Sequence, residues 1–152
     1  MPQFSRRLPA WFLALFMLLL AMPAAHAREM VSAARDGVML RSGPSPRAAA
    51  NWTVDRGYPL QVLGRKGAWL RVRDFENDRA WVLSARTSHQ AHVVSTTRAL
   101  NVRSTPSLRA RIVARAGYGD VLRTLERRGE WVKVRTGRGA TGWVSRKLVW
   151  GF

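Results

Sequence analysis

The sequence predicts an all-β protein: two tandem copies of one small module behind a secretory leader. Three observations predict it. One internal offset aligns the two halves without a gap, short strand-like runs alternate with turn residues, and the N-terminus runs from charged to apolar to small.

The leader is assigned to residues 1–27. Arg6 and Arg7 supply the positive end, Ala10 to Met22 is an unbroken apolar run, and Ala25-His26-Ala27 offers the small residues a signal peptidase reads. The run is short for a membrane anchor, since a helix needs about 20 apolar residues to cross roughly 30 Å of hydrocarbon. Cleavage after Ala27 is therefore expected, giving a periplasmic or secreted chain that is not an integral membrane protein. Ser5-Arg6-Arg7 begins like a twin-arginine signal, but Leu8-Pro9 does not continue it.

The repeat sets the organisation. At an offset of 62, Leu40-Arg41-Ser42 meets Val102-Arg103-Ser104, Gly57 meets Gly119, and Gly67 meets Gly129. Trp69 meets Trp131, Val72-Arg73 meets Val134-Arg135, and Trp81-Val82 meets Trp143-Val144. Within the first copy the strand-like runs are Val38 to Arg41, Leu60 to Leu63, Trp69 to Arg73 and Ala80 to Leu83. Their counterparts are Leu100 to Arg103, Val121 to Leu125, Trp131 to Arg135 and Gly142 to Val144. Gly43-Pro44, Lys66-Gly67, Arg128-Gly129 and Gly137-Arg138-Gly139 punctuate them as turns. No mature segment has a helical period. Short strands at regular spacing favour a closed barrel, because closure removes exposed edges. The expected modules are 28–85 and 92–152. The polar link 86–91 permits some tumbling without wide separation.

Composition narrows the chemistry. No cysteine is present, so disulfides, thiolate metal sites and lipid attachment through cysteine are excluded. A module of about 60 residues must then hold together by its apolar core, which is marginal but sufficient. The formal net charge is +17. Such a field favours anionic partners: nucleic acid, phospholipid or lipopolysaccharide headgroups, or acidic wall polymers. Arginine predominates over lysine, as a GC-rich genome alone would produce, so the whole field and not any single arginine carries this inference.

The residue order resembles the bacterial SH3 family. The second copy carries Asn101-Val102-Arg103-Ser104-Thr105-Pro106-Ser107, Gly119, Gly129-Glu130-Trp131, Val134-Arg135 and Gly142-Trp143-Val144. The first copy resembles a variant of secreted proteobacterial proteins, through Asn51-Trp52-Thr53-Val54, Gly57-Tyr58-Pro59-Leu60-Gln61-Val62, Val72-Arg73-Asp74 and Trp81-Val82. The resemblance covers nearly all of the mature chain and implies two tandem SH3-like β-barrels. It departs where Ala80 replaces a glycine and where Phe75-Glu76-Asn77-Asp78 replaces a plain turn. The acidic loop and paired tyrosines with which eukaryotic SH3 domains grip polyproline are not evident, so proline-rich peptide recognition is not carried over. Many relatives help wall hydrolases hold peptidoglycan, and that is the function the resemblance implies.

Strand parity separates core from surface. Leu70 and Val72 are expected inside, with Trp69, Arg71 and Arg73 on the outer face. Val132 and Val134 likewise point inward, on the same side as Leu125, and Trp131, Lys133 and Arg135 point out. Val82 and Val144 go inside, leaving Trp81 and Trp143 outside. An outward indole beside cations can stack on sugars or bases while the cations hold acidic groups. The alternative is structural: tryptophan caps so small a core or seals the contact between copies. The candidate ligand-binding residues are thus Trp69, Arg71, Arg73, Trp81, Trp131, Lys133, Arg135 and Trp143.

Other constellations carry less. His89 and His92 are three apart with no third ligand, short of a metal site. Asp74, Glu76 and Asp78 read as a solvated hairpin tip bridging to Arg73 and Arg79, since calcium needs six or more oxygens. No nucleophile sits beside a histidine with an orienting acid, and the nine acids fall mostly on turns. The expectation is a non-enzymatic binding module without cofactor or metal. Its expected partner is peptidoglycan or another acidic envelope polymer. The alternative is a periplasmic adaptor that binds a secreted or envelope protein, and export disfavours nucleic acid.

Overall fold

Residues 27–152 are described by a computed structural model. The leader assignment falls on residues outside these, apart from Ala27. The first sheet comprises β1 (Met30–Ala33), β2 (Val38–Arg41), β3 (Ala50–Val54), β4 (Pro59–Lys66), β5 (Trp69–Arg73), β6 (Arg79–Leu83) and β7 (Thr87–Ser88). The second comprises β8 (His92–Ser95), β9 (Leu100–Arg103), β10 (Ile112–Ala116), β11 (Val121–Arg128), β12 (Trp131–Arg135), β13 (Thr141–Ser145) and β14 (Val149–Gly151). The spatial orders are β3-β2-β6-β5-β4-β1-β7 and β10-β9-β13-β12-β11-β8-β14, one topology used twice. Each strand of the second sheet begins 62 residues after its counterpart, as Met30 and His92, Val38 and Leu100, or Thr87 and Val149 show. Single 3-10 turns, Ser84–Arg86 and Arg146–Leu148, lead into β7 and β14.

Every strand pairing is antiparallel. The β4–β5 and β11–β12 hairpins close in two residues, with Lys66 opposite Trp69 and Arg128 opposite Trp131. Gly67 and Gly129 supply the positive φ, 57° and 55°, that so tight a turn requires. Each sheet wraps one apolar cluster. Val31, Ala33, Val38, Leu40, Val54, Leu60, Leu70, Val72, Ala80 and Val82 come from six strands to form the first. Val93, Leu100, Val102, Ala116, Leu122, Val132, Val134 and Val144 form the second. The described residues are therefore all-β, in two small modules of one topology. Among the described residues no helix is long and apolar enough to cross a membrane.

Three expectations change. Leu125, expected on the core side, is exposed at 39%. The β11–β12 register shifts between Thr124 and Glu126, so Leu125 is the extra residue of a bulge and loses its inward position. The stretch 86–91 is only partly a link, because Thr87 and Ser88 pair with Ala33 and Ser32 of β1.

The two modules also touch, where limited tumbling was expected. Ser32 Oγ and His92 Nδ1 both donate to the Gln90 carbonyl, each at 2.9 Å. The Tyr118 hydroxyl donates to Glu76 Oε1 at 2.8 Å, and its ring lies 5.3 Å from that of Phe75. Polar and aromatic contacts thus fix one module on the other at several points.

Candidate binding surface

Alternation along β5 sends Leu70 and Val72 into the core, at 2% and 0% exposure, and Trp69, Arg71 and Arg73 to the opposite face. Pairing then places cations beside indoles. Arg71 on β5 stands opposite Trp81 on β6, which stands opposite Arg41 on β2. The second module repeats the row: Lys133 on β12, Trp143 on β13, Arg103 on β9. Directly opposed side chains of adjacent strands lie close enough to interact. Arg128 places its guanidinium carbon 4.9 Å from the centre of the Trp143 ring, and Lys133 Nζ lies 5.8 Å from it. Such cation–π contacts are worth about 0.5–1 kcal/mol at exposed sites.

The four tryptophans are not equivalent. Trp69 and Trp143 are buried, as the structural alternative for the outer rings would have them, and Trp81 and Trp131 are half-buried. Trp143 is covered by Lys133 from the neighbouring strand and by Arg128 from the hairpin turn, which the sequence marks only as a turn residue. Trp69 lies within a cleft of about 220 Å³ shared with Arg35, Met39, Arg41, Leu83 and Arg86. Three arginines and no acidic residue line this cleft.

Arg71 and Arg135 are exposed, as parity required. Arg73 is engaged instead, its Nε donating to Gln61 Oε1 at 2.8 Å and Nη1 to Asn77 Oδ1 at 2.9 Å. The expected acidic bridges to Arg73 and Arg79 do not form among the described residues, whose ion pairs are Arg65–Glu29 and Arg128–Glu126. Asp74 is buried and turned inward on its own hairpin. Its Oδ1 accepts from the backbone of Glu76 and Asp78, at 3.0 and 2.9 Å, and Tyr58 donates to Oδ2 at 3.4 Å. Burial raises its carboxyl pKa against the lowering effect of those backbone bonds. Burial, with Asp74 beside it, also raises the Tyr58 hydroxyl.

Arg35 and Arg86 lie outside every motif of the sequence, and Arg41 and Arg103 stand there only as motif letters. Arg41 Nη1 donates to the Ala48 carbonyl at 2.7 Å and Arg103 Nη1 to the Ala110 carbonyl at 3.0 Å, so both pin a loop while flanking an indole. A signal for the other two was present in the repeat. Arg35 and Arg86 correspond to Thr97 and Leu148, so these two cations are particular to the first module.

Comparison with known proteins accords with this architecture. Residues 34–89 and residues 98–149 each match a family model described as Bacterial SH3 domain. The Bacillus subtilis (strain 168) protein "Putative N-acetylmuramoyl-L-alanine amidase YrvJ" is 36% identical over 126 residues, which make up 72% of this chain and 24% of that protein. The chain thus spans about a quarter of that relative's length. Among solved structures, NlpC2 from Trichomonas vaginalis is similar at 13% identity and a TM-score of 0.38, over 85% of this chain and 50% of that one. "Endolysin LysPBC5 CBD" is similar at 15% identity and a TM-score of 0.32, over 84% of this chain and 96% of its own. With both halves matched and the topology repeated strand for strand, the chain belongs to the bacterial SH3 domain family, as two members in tandem.

Proposed function

We propose that this chain is an exported, non-enzymatic envelope-binding protein that holds peptidoglycan or another acidic wall component. The observation that carries the reading is the Trp69 cleft, where an indole lies among Arg35, Arg41 and Arg86 with no carboxylate in the lining. The edge of Trp69 that lines the cleft offers a sugar ring an apolar contact, and the guanidiniums offer carboxylates a planar fork. Trp131, half-buried beside Lys133 and Arg135, provides the weaker second contact. The similar Bacillus subtilis protein is named for N-acetylmuramoyl-L-alanine, a wall linkage, which supports the class of ligand. Cosedimentation with purified sacculi tests the reading across a range of salt. Saturable binding that weakens with Trp69→Ala is expected. Capture of a secreted or envelope protein without binding to sacculi would instead make the pair a protein adaptor.

A further inference from the structure

Arg65 on β4 forms an ion pair with Glu29, just ahead of β1. At the same two places in the second module stand Arg127 and Ala91, so the cation is kept and its acid is gone. A further cation is added, because Arg146 occupies the place of Ser84. Both side chains are exposed, and partial desolvation with the charge of Arg146 lowers the Arg127 guanidinium pKa. Neither belongs to an ion pair among the described residues.

Both arginines line a cleft of about 180 Å³ between the modules, with Arg28 and the apolar side chains of Met30, Trp150 and Phe152. No aspartate or glutamate lines it. The Phe152 carboxylate stands at the same cleft but forms no ion pair with either arginine among the described residues. The two guanidiniums repel each other weakly through solvent, and a ligand carrying two negative charges relieves both at once. Each guanidinium can give paired N–H groups to an oxyanion, and a phosphate has the charge and the acceptor oxygens to meet two of them where a single carboxylate meets one.

We propose that this cleft between the modules binds a phosphate-type oxyanion, held by Arg127 and Arg146 with Arg28 at its rim. The phosphate is either free or carried as a monoester headgroup. The site is separate from the Trp69 cleft and does not depend on the wall-binding reading.

The test is a nuclear magnetic resonance titration of the purified protein with inorganic phosphate at constant ionic strength, with chloride as the competing anion. Saturable shifts are expected at the Arg127 and Arg146 amides and the Trp150 indole. Arg127→Gln with Arg146→Gln should weaken phosphate binding at least about tenfold, since two charge-assisted contacts are lost. Arg47→Gln with Arg109→Gln removes as many charges from exposed loop positions and should change the affinity less than about twofold. Arg127→Lys with Arg146→Lys keeps the charge and loses the planar fork. It should still weaken binding severalfold, and it stands in if the glutamine variant does not fold. A parallel arm uses phosphatidylcholine vesicles with and without phosphatidic acid. Arginine-dependent binding to the phosphatidic acid vesicles alone supports the site and places the phosphate on a lipid. The proposal is overturned if neither phosphate nor these vesicles bind beyond chloride and the neutral vesicles. It is equally overturned if the loop variant weakens binding as much as the cleft variant.

Discussion

The imidazole of His92, the first residue of β8, lies against Gly57 of the other module. A Cβ on Gly57 would stand 2.7 Å from His92 Cδ2. Gly57 also has φ +86°, which L side chains adopt only with strain, so two requirements converge on one glycine. Its counterpart Gly119 has φ +81° but open space around its Cβ position. The contact between modules is therefore the difference between two otherwise matching turns.

That difference can be measured. Gly119→Ala should cost about 1–3 kcal/mol from backbone strain alone. Gly57→Ala should cost clearly more, because the methyl group also meets the imidazole. Urea unfolding of both variants, followed by tryptophan fluorescence, provides the comparison. Equal losses would mean that the module contact contributes nothing at Gly57.

His92 also makes the joint sensitive to acid. Burial lowers its pKa below the ordinary 6.5, the Gln90 carbonyl pulls it back up, and Arg123 adds to the lowering. The unfolded chain therefore takes up this proton at a higher pH than the folded chain does. The resulting stability is fully present above about pH 6.5 and is lost as pH falls through the lowered folded pKa. The difference in unfolding free energy between wild type and His92→Gln should narrow or reverse over that window. A difference that stays constant with pH would show that His92 titrates alike in both states.

The second module should fold alone. Residues from His92 to Phe152 contain all seven strands of its sheet and the complete second cluster. The isolated piece exposes His92 and loses the Tyr118–Glu76 hydrogen bond, so it should melt below the tandem chain. Circular dichroism and proton spectra decide the matter, with dispersed amide signals and β-type ellipticity expected. A disordered fragment would mean that the modules depend on each other to fold.

Legibility in the sequence followed burial on two faces. Val38–Arg41, Leu100–Arg103, Trp69–Arg73 and Trp131–Arg135 form strands over the very residues the patterning marked, because one face is packed and the other is not. Met30–Ala33 and His92–Ser95 escaped because all four residues of each are buried. With neighbours on both sides and the other module near, such strands show no alternation, and they carry Ser32, His92 and Ser95 where apolar residues would signal a core. Ala50–Val54 and Ile112–Ala116 are edge strands, largely unburied, with registers broken by bulges. The outward side of the tryptophans was readable from parity. The cover over Trp143 and the cleft around Trp69 were not, because Arg128, Arg35 and Arg86 reach them from other parts of the chain.

The most direct test of wall binding is cosedimentation of the purified protein with sacculi at rising salt, with duplex DNA as the anionic control. Loss of one full aromatic stack costs about 1–3 kcal/mol where it has been measured on bases, and Trp69 presents only its cleft edge, so Trp69→Ala should weaken binding by about threefold to tenfold. Trp131→Ala should weaken it less. Lys133→Gln with Arg135→Gln should leave the fold intact and flatten the salt dependence, since exposed charges are screened within about 8 Å at physiological ionic strength. The account predicts that sacculi are held more tightly than DNA and that the Trp69 effect persists at high salt in a folded variant. Equal affinity for sacculi and DNA, falling steeply with salt and indifferent to Trp69, would contradict it and leave only a polycation.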